Sequence, residues 1–373
     1  MVRAGRAPPR RGRHFMYNAP TFRQRPFDRS CAVRDERLLS PVMQPHLRII
    51  GSGAAVPSVV ATSDGLDAQL GLRPGTLAAH GAARQRFMSK EETAAGLAAK
   101  ACEQALAASG LRWEDINCLV AANATMDQSL PYNAALVHAE LGLDRHAIAS
   151  FDVGASCLSF LAGLDVASYL LDSGRYETMV LVSADIATFG LNWHDLRECG
   201  NFGDGAAAVV LRKSANGERS RVKAVKFRTY SRGVRLCEIP AGGSRFHPER
   251  VDGPFAPLAK FSMNGKALFK LVAGVMEGFI GELLHAADMT LEQVSLVVPH
   301  QASRLALDHL MRRLDLPAEK VIDIFDECAN QVGASLPTAL HRAISTGCIK
   351  RGDDVMLIGS GAGVSLGGMV LTY

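Results

Sequence analysis

The sequence predicts an α/β protein made by duplication, on three observations. The first is an internal echo: Trp113-Glu-Asp-Ile-Asn-Cys-Leu-Val-Ala-Ala-Asn-Ala-Thr125 aligns with Leu291-Glu-Gln-Val-Ser-Leu-Val-Val-Pro-His-Gln-Ala-Ser303. The second is that each copy is followed by the same order of patterns, namely a helix, a strand (Ala149–Val153; Val321–Phe325) and Gly-Ala-Ser (154–156; 333–335) opening another helix. The third is a Gly-rich hairpin closing each half, over 202–211 and 359–371. A repeat near 180 residues is too long for a solenoid unit. Strands alternating with helices imply sheets covered by helices, with ligand chemistry where the halves meet.

The individual elements follow from periodicity. His46–Ile50 and the following Gly51-Ser-Gly-Ala-Ala-Val-Pro57 predict an opening strand and a turn. A dinucleotide fingerprint is excluded there, because Val56-Pro57 takes the place of its third glycine and no helix opens. Glu91–Ser109 is Ala-rich with apolar residues at helical spacing, Ile116–Ala121 is a short apolar run typical of a buried strand, and Tyr132–Leu141 returns to helical spacing. The division expected is residues 1–42 as a tail, 43–215 as one half and 216–373 as the other.

Charge separates tail from body. The 373 residues sum to +4, yet residues 1–42 hold ten Arg against Asp28, Asp35 and Glu36, a local +7. The other 331 residues therefore carry −3, so the body has no basic character of the kind that binds nucleic acid. The Arg- and Pro-rich tail has no apolar period and is expected to be disordered, an over-extended start with Met43 as initiator. With only Ser30 and Ser40 it lacks the Ser-rich amphipathic pattern of a presequence, and it has no apolar signal core. No stretch reaches the roughly 18 apolar residues of a membrane helix. Eight scattered cysteines without a Cys-x-x-Cys pair argue against a zinc ribbon or disulfide scaffold and suit a reducing cytoplasm.

Three residues stand out chemically. Cys157 follows a strand and a tight turn at the start of an apolar helix, where the helix dipole favours a thiolate. Cys102, Cys118 and Cys328 have core-like surroundings instead. His300 follows a buried strand on the loop entering a helix, where α/β proteins direct side chains into a crevice. Asn330 occupies a comparable turn before the second Gly-Ala-Ser; by itself it is an ordinary turn residue.

Taken together, Asp-Val-Gly-Ala-Ser-Cys157, Pro299-His300-Gln-Ala-Ser and Ala-Asn330-Gln-Val-Gly-Ala-Ser-Leu-Pro resemble the β-ketoacyl-acyl-carrier-protein synthase III family over about residues 47–373. The resemblance implies a thiolase-like fold, an α-β-α-β-α layering with two five-stranded mixed sheets, and a homodimer. It implies that Cys157 carries an acyl group taken from acyl-CoA, with an oxyanion hole from its own N–H and the Gly361-Ala362-Gly363 loop. His300 and Asn330 would hold the thioester oxygen of malonyl-acyl-carrier protein during decarboxylation. Neither metal nor organic cofactor is expected. The carrier protein would dock on Lys270, Arg304, Arg312 and Arg313, which by themselves are ordinary solvated charges.

The chain departs from the family pattern at several points. The Trp and Arg that clamp coenzyme A correspond to Thr76 and His80, and the Gly-Ile-Arg-x-Arg motif is Ala82-Ala-Arg84-Gln-Arg86. The aromatic cap of the acyl pocket is Leu130, and Ser303 replaces an Asn. A divergent condensing enzyme is expected, with acyl transfer or non-decarboxylative condensation as the alternative on the same fold. A papain-like protease shares the order Cys, His, Asn, but its Cys-Gly-Ser-Cys context is missing here and the duplication has no place in that fold. A catalytically silent binding protein is disfavoured by the intact Cys, His and Asn.

Overall fold

The computed structural model describes residues 44–373; the expectations for the tail, and for Met43, lie outside the described residues. The first sheet has five strands, β1 (Arg48–Ala55), β4 (Cys118–Ala121), β5 (Ala149–Asp152), β6 (Thr178–Asp185) and β7 (Gly205–Arg212), in the order β1-β7-β6-β4-β5. Two short ladders lie outside the main sheets: β2 (Val59–Thr62) with β3 (Gln85–Met88), and β9 (Cys237–Glu238) with β10 (Ser262–Met263). The second main sheet is β8 (Arg221–Thr229), β11 (Leu296–Pro299), β12 (Asp354–Gly361) and β13 (Ser365–Thr372), in the order β11-β12-β13-β8. The sequence echo is visible in this plan, since β4 and β11 lie in its two copies and each has a parallel neighbour, β6 and β12 respectively.

Helices divide into three layers. Beyond the short α1 (Ser63–Gln69) and α2 (Thr76–Ala79), α3 (Ala94–Ser109) and α4 (Asn133–Glu140) cover the outer face of the first sheet. α5 (Ser159–Asp172) lies between the sheets. After the single turn α6 (Leu196–Cys199), α7 (Gly265–Ala286) and α8 (Arg304–Arg313) cover the outer face of the second sheet. The turn α9 (Phe325–Cys328) leads to α10 (Ser335–Ser345), which joins α5 in the middle layer. Phe160, Leu161 and Leu164 of α5, with Leu336 and Leu340 of α10, pack against strands of both sheets, so the central core is shared by the halves. No helix among the described residues is long and apolar enough to cross a membrane.

The structure corrects the sequence reading in three places. Gly51 and Gly53 do not form a turn; β1 runs through them to Ala55. A β-carbon at Gly53 would stand 2.5 Å from the Ala105 nitrogen, so the glycine is what lets α3 lie against the strand. The second sheet has four strands and not five. Residues 321–325 retain one parallel bridge, Val297 to Val321, and then turn into α9. The reason is Gln301, fully buried, whose Nε2 donates to the carbonyls of Pro299 and Ile322 (2.9 and 3.2 Å) while its Oε1 accepts the Ile324 N–H (3.1 Å). A side-chain amide thus takes the groups that a fifth strand would have paired. Finally, the glycines of 202–205 open β7 after a long connection from β6, whereas 359–371 is a tight hairpin.

Candidate active site

Cys157 is carried from the end of β5 through a turn in which Ser156 adopts a left-handed φ of 53°. The turn is pinned by Ser159, whose hydroxyl accepts the Ala155 N–H at 2.8 Å and donates to the Ser156 carbonyl at 2.7 Å. Cys157 sits in the single 3₁₀ turn Ser156–Leu158 that precedes α5, and it is half-buried. The loop of the opposite half meets it: a β-carbon at Gly361 would stand 3.4 Å from the Ala155 carbonyl and Leu158 and 3.5 Å from the Cys157 nitrogen, at ordinary contact distance. The N–H groups of Ala362 and of Cys157 itself reach the sulfur.

The electrostatics correct one expectation. Burial pushes the Cys157 thiol up to about 12, with Cys237 and Asp185 adding to the rise and the two N–H groups opposing it. Desolvation outweighs the helix end, so the resting group is a thiol and not a thiolate. Burial likewise pulls His300 down to about 4, leaving a neutral imidazole at neutral pH. His300 is 6% exposed, its N–H donates to the Ile358 carbonyl at 2.8 Å, and its Nδ1 has no hydrogen-bond partner among the described residues. A β-carbon on Gly359 would come within 2.9 Å of the His300 Cβ, so that glycine admits the imidazole.

Asn330 is 5% exposed and held from every side. Its backbone pairs with the 201–203 segment, donating to the Asn201 carbonyl (2.9 Å) and accepting from Gly203 N–H (3.1 Å). Its Oδ1 accepts from Val332 N–H (2.8 Å) and the Ser335 hydroxyl (3.3 Å), which fixes the amide so that Nδ2 is the outward group. That Nδ2 donates to the Ala302 carbonyl at 3.2 Å, tying Asn330 to the loop that bears His300.

Asp185, which the sequence reading passed over, joins this site to the first half. Its Oδ1 accepts from Ala124 N–H, Thr125 N–H and the Thr125 hydroxyl, and its Oδ2 accepts the Ala334 N–H at 3.1 Å. Burial raises it to about 6 despite those bonds. Its signal is an acid ending the wholly buried run Thr178–Asp185.

The other candidates fall into two groups. Leu130 is 82% exposed in the single chain. Thr76 and His80 turn inward on their own helix, the Thr76 hydroxyl donating to the Arg73 carbonyl and His80 Nδ1 meeting the Thr76 carbonyl at 2.8 Å. Ser303 caps α8 by accepting the Ala306 N–H. Lys270, Arg312 and Arg313 are exposed, Arg313 in an ion pair with Glu277. Arg304 is committed to Asp308 and Asp323 and is the most restrained of the four. Arg86 is buried, with its guanidinium on the carbonyls of Cys199, Phe202 and Ala83.

A half-buried Cys and a buried His and Asn, set on two similar halves of a layered thiolase-type fold, define a thiolase-fold condensing enzyme. Profiles described as 3-oxoacyl-[acyl-carrier-protein (ACP)] synthase III and its C-terminal domain match residues 151–231 and 284–373. A beta-ketoacyl-[acyl-carrier-protein] synthase III of Clostridium perfringens is 31% identical over 326 residues, 87% of this chain and 99% of that protein. One of Rhizorhabdus wittichii is 32% identical, covering 87% and 98%. The crystal structure of 3-oxoacyl-[acyl-carrier-protein] synthase III from Aquifex aeolicus superposes with a TM-score of 0.78 at 30% identity, covering 88% of this chain and all of that one. The chain belongs to the 3-oxoacyl-[acyl-carrier-protein] synthase III family.

Proposed function

We infer that the protein joins an acyl-CoA primer to malonyl-acyl-carrier protein by decarboxylative Claisen condensation, releasing a 3-oxoacyl-carrier protein. The observation carrying this reading is the pairing of a thiol under the Ala362 N–H with two neutral donors, His300 and Asn330, tied together through Ala302. In the first half-reaction the Cys157 sulfur bonds to the acyl carbon and the departing CoA sulfur takes the thiol proton. The Ala362 and Cys157 N–H groups hold the oxyanion. In the second, His300 and Asn330 donate to the thioester oxygen as the carbon–carboxylate bond breaks, and the electron pair remains on carbon two. That carbon then bonds to the acyl carbon, and the Cys157 sulfur leaves with the bonding pair and takes a proton from water to return to the thiol. Neutral donors suit an enolate that must go on to react, since a full positive charge would over-stabilise it.

The same reading makes the protein a cytoplasmic homodimer in which exposed Leu130 reaches the partner's acyl pocket, and it needs no metal or organic cofactor. The acidic carrier would dock on Lys270, Arg312 and Arg313, with Arg304 contributing through its own ion pairs less than the others. With Thr76 and His80 turned to their own helix, adenine stacking is absent from the primer site. The test uses a malonyl thioester labelled in its free carboxyl group, with an acyl-CoA present. Labelled carbon dioxide should appear in step with 3-oxoacyl product; product without carbon dioxide would favour acyl transfer or non-decarboxylative condensation.

A further inference from the structure

One buried acid takes no part in the reaction above. Asp185 ends β6, fully buried, where the first half meets the turn that follows Asn330. Four donors converge on it. Its Oδ1 accepts the Ala124 N–H (2.9 Å), the Thr125 N–H (2.6 Å) and the Thr125 hydroxyl (2.8 Å), all from the loop after β4. Its Oδ2 accepts one donor from the other half, the Ala334 N–H. A β-carbon on Gly333 would stand 2.8 Å from that oxygen and 3.1 Å from the Ser183 hydroxyl, so glycine is what lets the turn lie against the carboxylate. The same turn fixes Asn330. Val332, at a left-handed φ of 54° that β-branched residues rarely adopt, donates its N–H to Asn330 Oδ1. Ser335, next to Ala334, donates its hydroxyl to the same oxygen. Ala329, on the other side of Asn330, is also left-handed at 56°. A segment with two such residues keeps its shape only where its surroundings hold it.

We propose that Asp185 is a positioning residue for the decarboxylating half-reaction: its Oδ2 anchors the 332–335 turn at Ala334, and that turn sets the Asn330 amide. The inference rests on the functional reading above, in which Asn330 donates to the donor's thioester oxygen. A carboxylate suits this place because it only accepts, and both of its oxygens face donors. An amide would keep its single oxygen on the three donors of the 124–125 loop and turn its own NH₂ toward the Ala334 N–H. The bonds to the first half would survive, and the bond to the second half would become donor against donor. The Asp185 charge also adds to the rise of the Cys157 thiol. Removing that charge eases loss of the thiol proton, so acylation has no reason to slow.

The experiment follows both half-reactions on the full chain: acylation of Cys157 by intact mass with an acyl-CoA, and carbon dioxide release from carboxyl-labelled malonyl-pantetheine. In Asp185→Asn, acylation should run at about half the wild-type rate or faster, while carbon dioxide release falls about tenfold or more, as loss of a hydrogen bond to a charged group implies. Gly333→Ala, whose methyl pushes the same turn off an intact carboxylate, should do likewise and serves if the first variant does not fold. In the Asn330→Ala background either change should lower carbon dioxide release by less than about twofold, because the group being positioned is already gone. A loss of about tenfold that persists in that background overturns the proposal, since Asp185 would then act on the fold at large. So does acylation that falls in step with carbon dioxide release, or release that does not fall at all. Asn330→Ala releasing carbon dioxide at the wild-type rate overturns the functional reading itself, and the proposal with it.

Discussion

The two halves share a plan but differ in their loops and sheet edges, where the proposed chemistry falls. The first half completes its five-stranded sheet and presents Cys157 on a helix start whose turn is locked by Ser159. The second half gives up its fifth strand at 321–325 to Gln301. It keeps its loops for His300 and Asn330, which are joined through Ala302. In the reaction proposed above, one half supplies the covalent atom and the other the hydrogen-bond donors for a charge that exists only during reaction. The duplicated plan does not place them at matching ends, since Cys157 follows β5 while His300 follows β11, the counterpart of β4.

The comparison can be broken most severely at Cys157. Cys157→Ala should abolish acylation and cost condensation on the order of 10³-fold or more, read by intact mass and by product formation. The fold of the second half is tested by Gln301→Leu, which leaves the Ile322 carbonyl and the Ile324 N–H without their partner. It should destabilise by about 2–3 kcal/mol in denaturant unfolding, with a larger loss of condensation than of acylation. On the first half, Gly53→Val puts a side chain against Ala105 and should cost about 1–3 kcal/mol, lowering Tm with little change in the ratio of the half-reactions.

A pH dependence follows from the burial of His300. Because His300 sits at about 4 when folded and near 6.5 when unfolded, the unfolded chain binds the extra proton between those values. This group's contribution to stability therefore rises with pH across that window, is complete above 6.5, and is lost as pH falls toward 4. Decarboxylation should show no titration near 6.5. Alkylation of Cys157 by iodoacetamide should keep climbing through pH 9 without a plateau, as its raised thiol requires.

Cys157, His300 and Asn330 stand out in the sequence because their signals are local, a residue type in a turn beside a Gly-Ala-Ser or strand-end motif. The echo even carries through the fold, since an offset of 178 takes Cys118–Ala121 of β4 to Leu296–Pro299 of β11. What escaped depends on packing. Gly51 and Gly53 read as a turn because glycine serves turns and close helix contacts alike, and only α3 decides between them. Val321–Phe325 has the composition of a strand, but an amide twenty residues earlier in the chain takes its partners. The Cys157 thiol was misjudged because a helix end is visible in a sequence and the burial that outweighs it is not.

The division of labour is tested most directly by His300→Ala, incubated with acyl-CoA and then with a carboxyl-labelled malonyl thioester. Intact mass should show Cys157 fully acylated at close to the wild-type rate, while carbon dioxide release falls by about 10²-fold or more. Loss of the acyl-enzyme together with decarboxylation, or carbon dioxide release at the wild-type rate, would contradict the assignment of one half-reaction to each half of the fold.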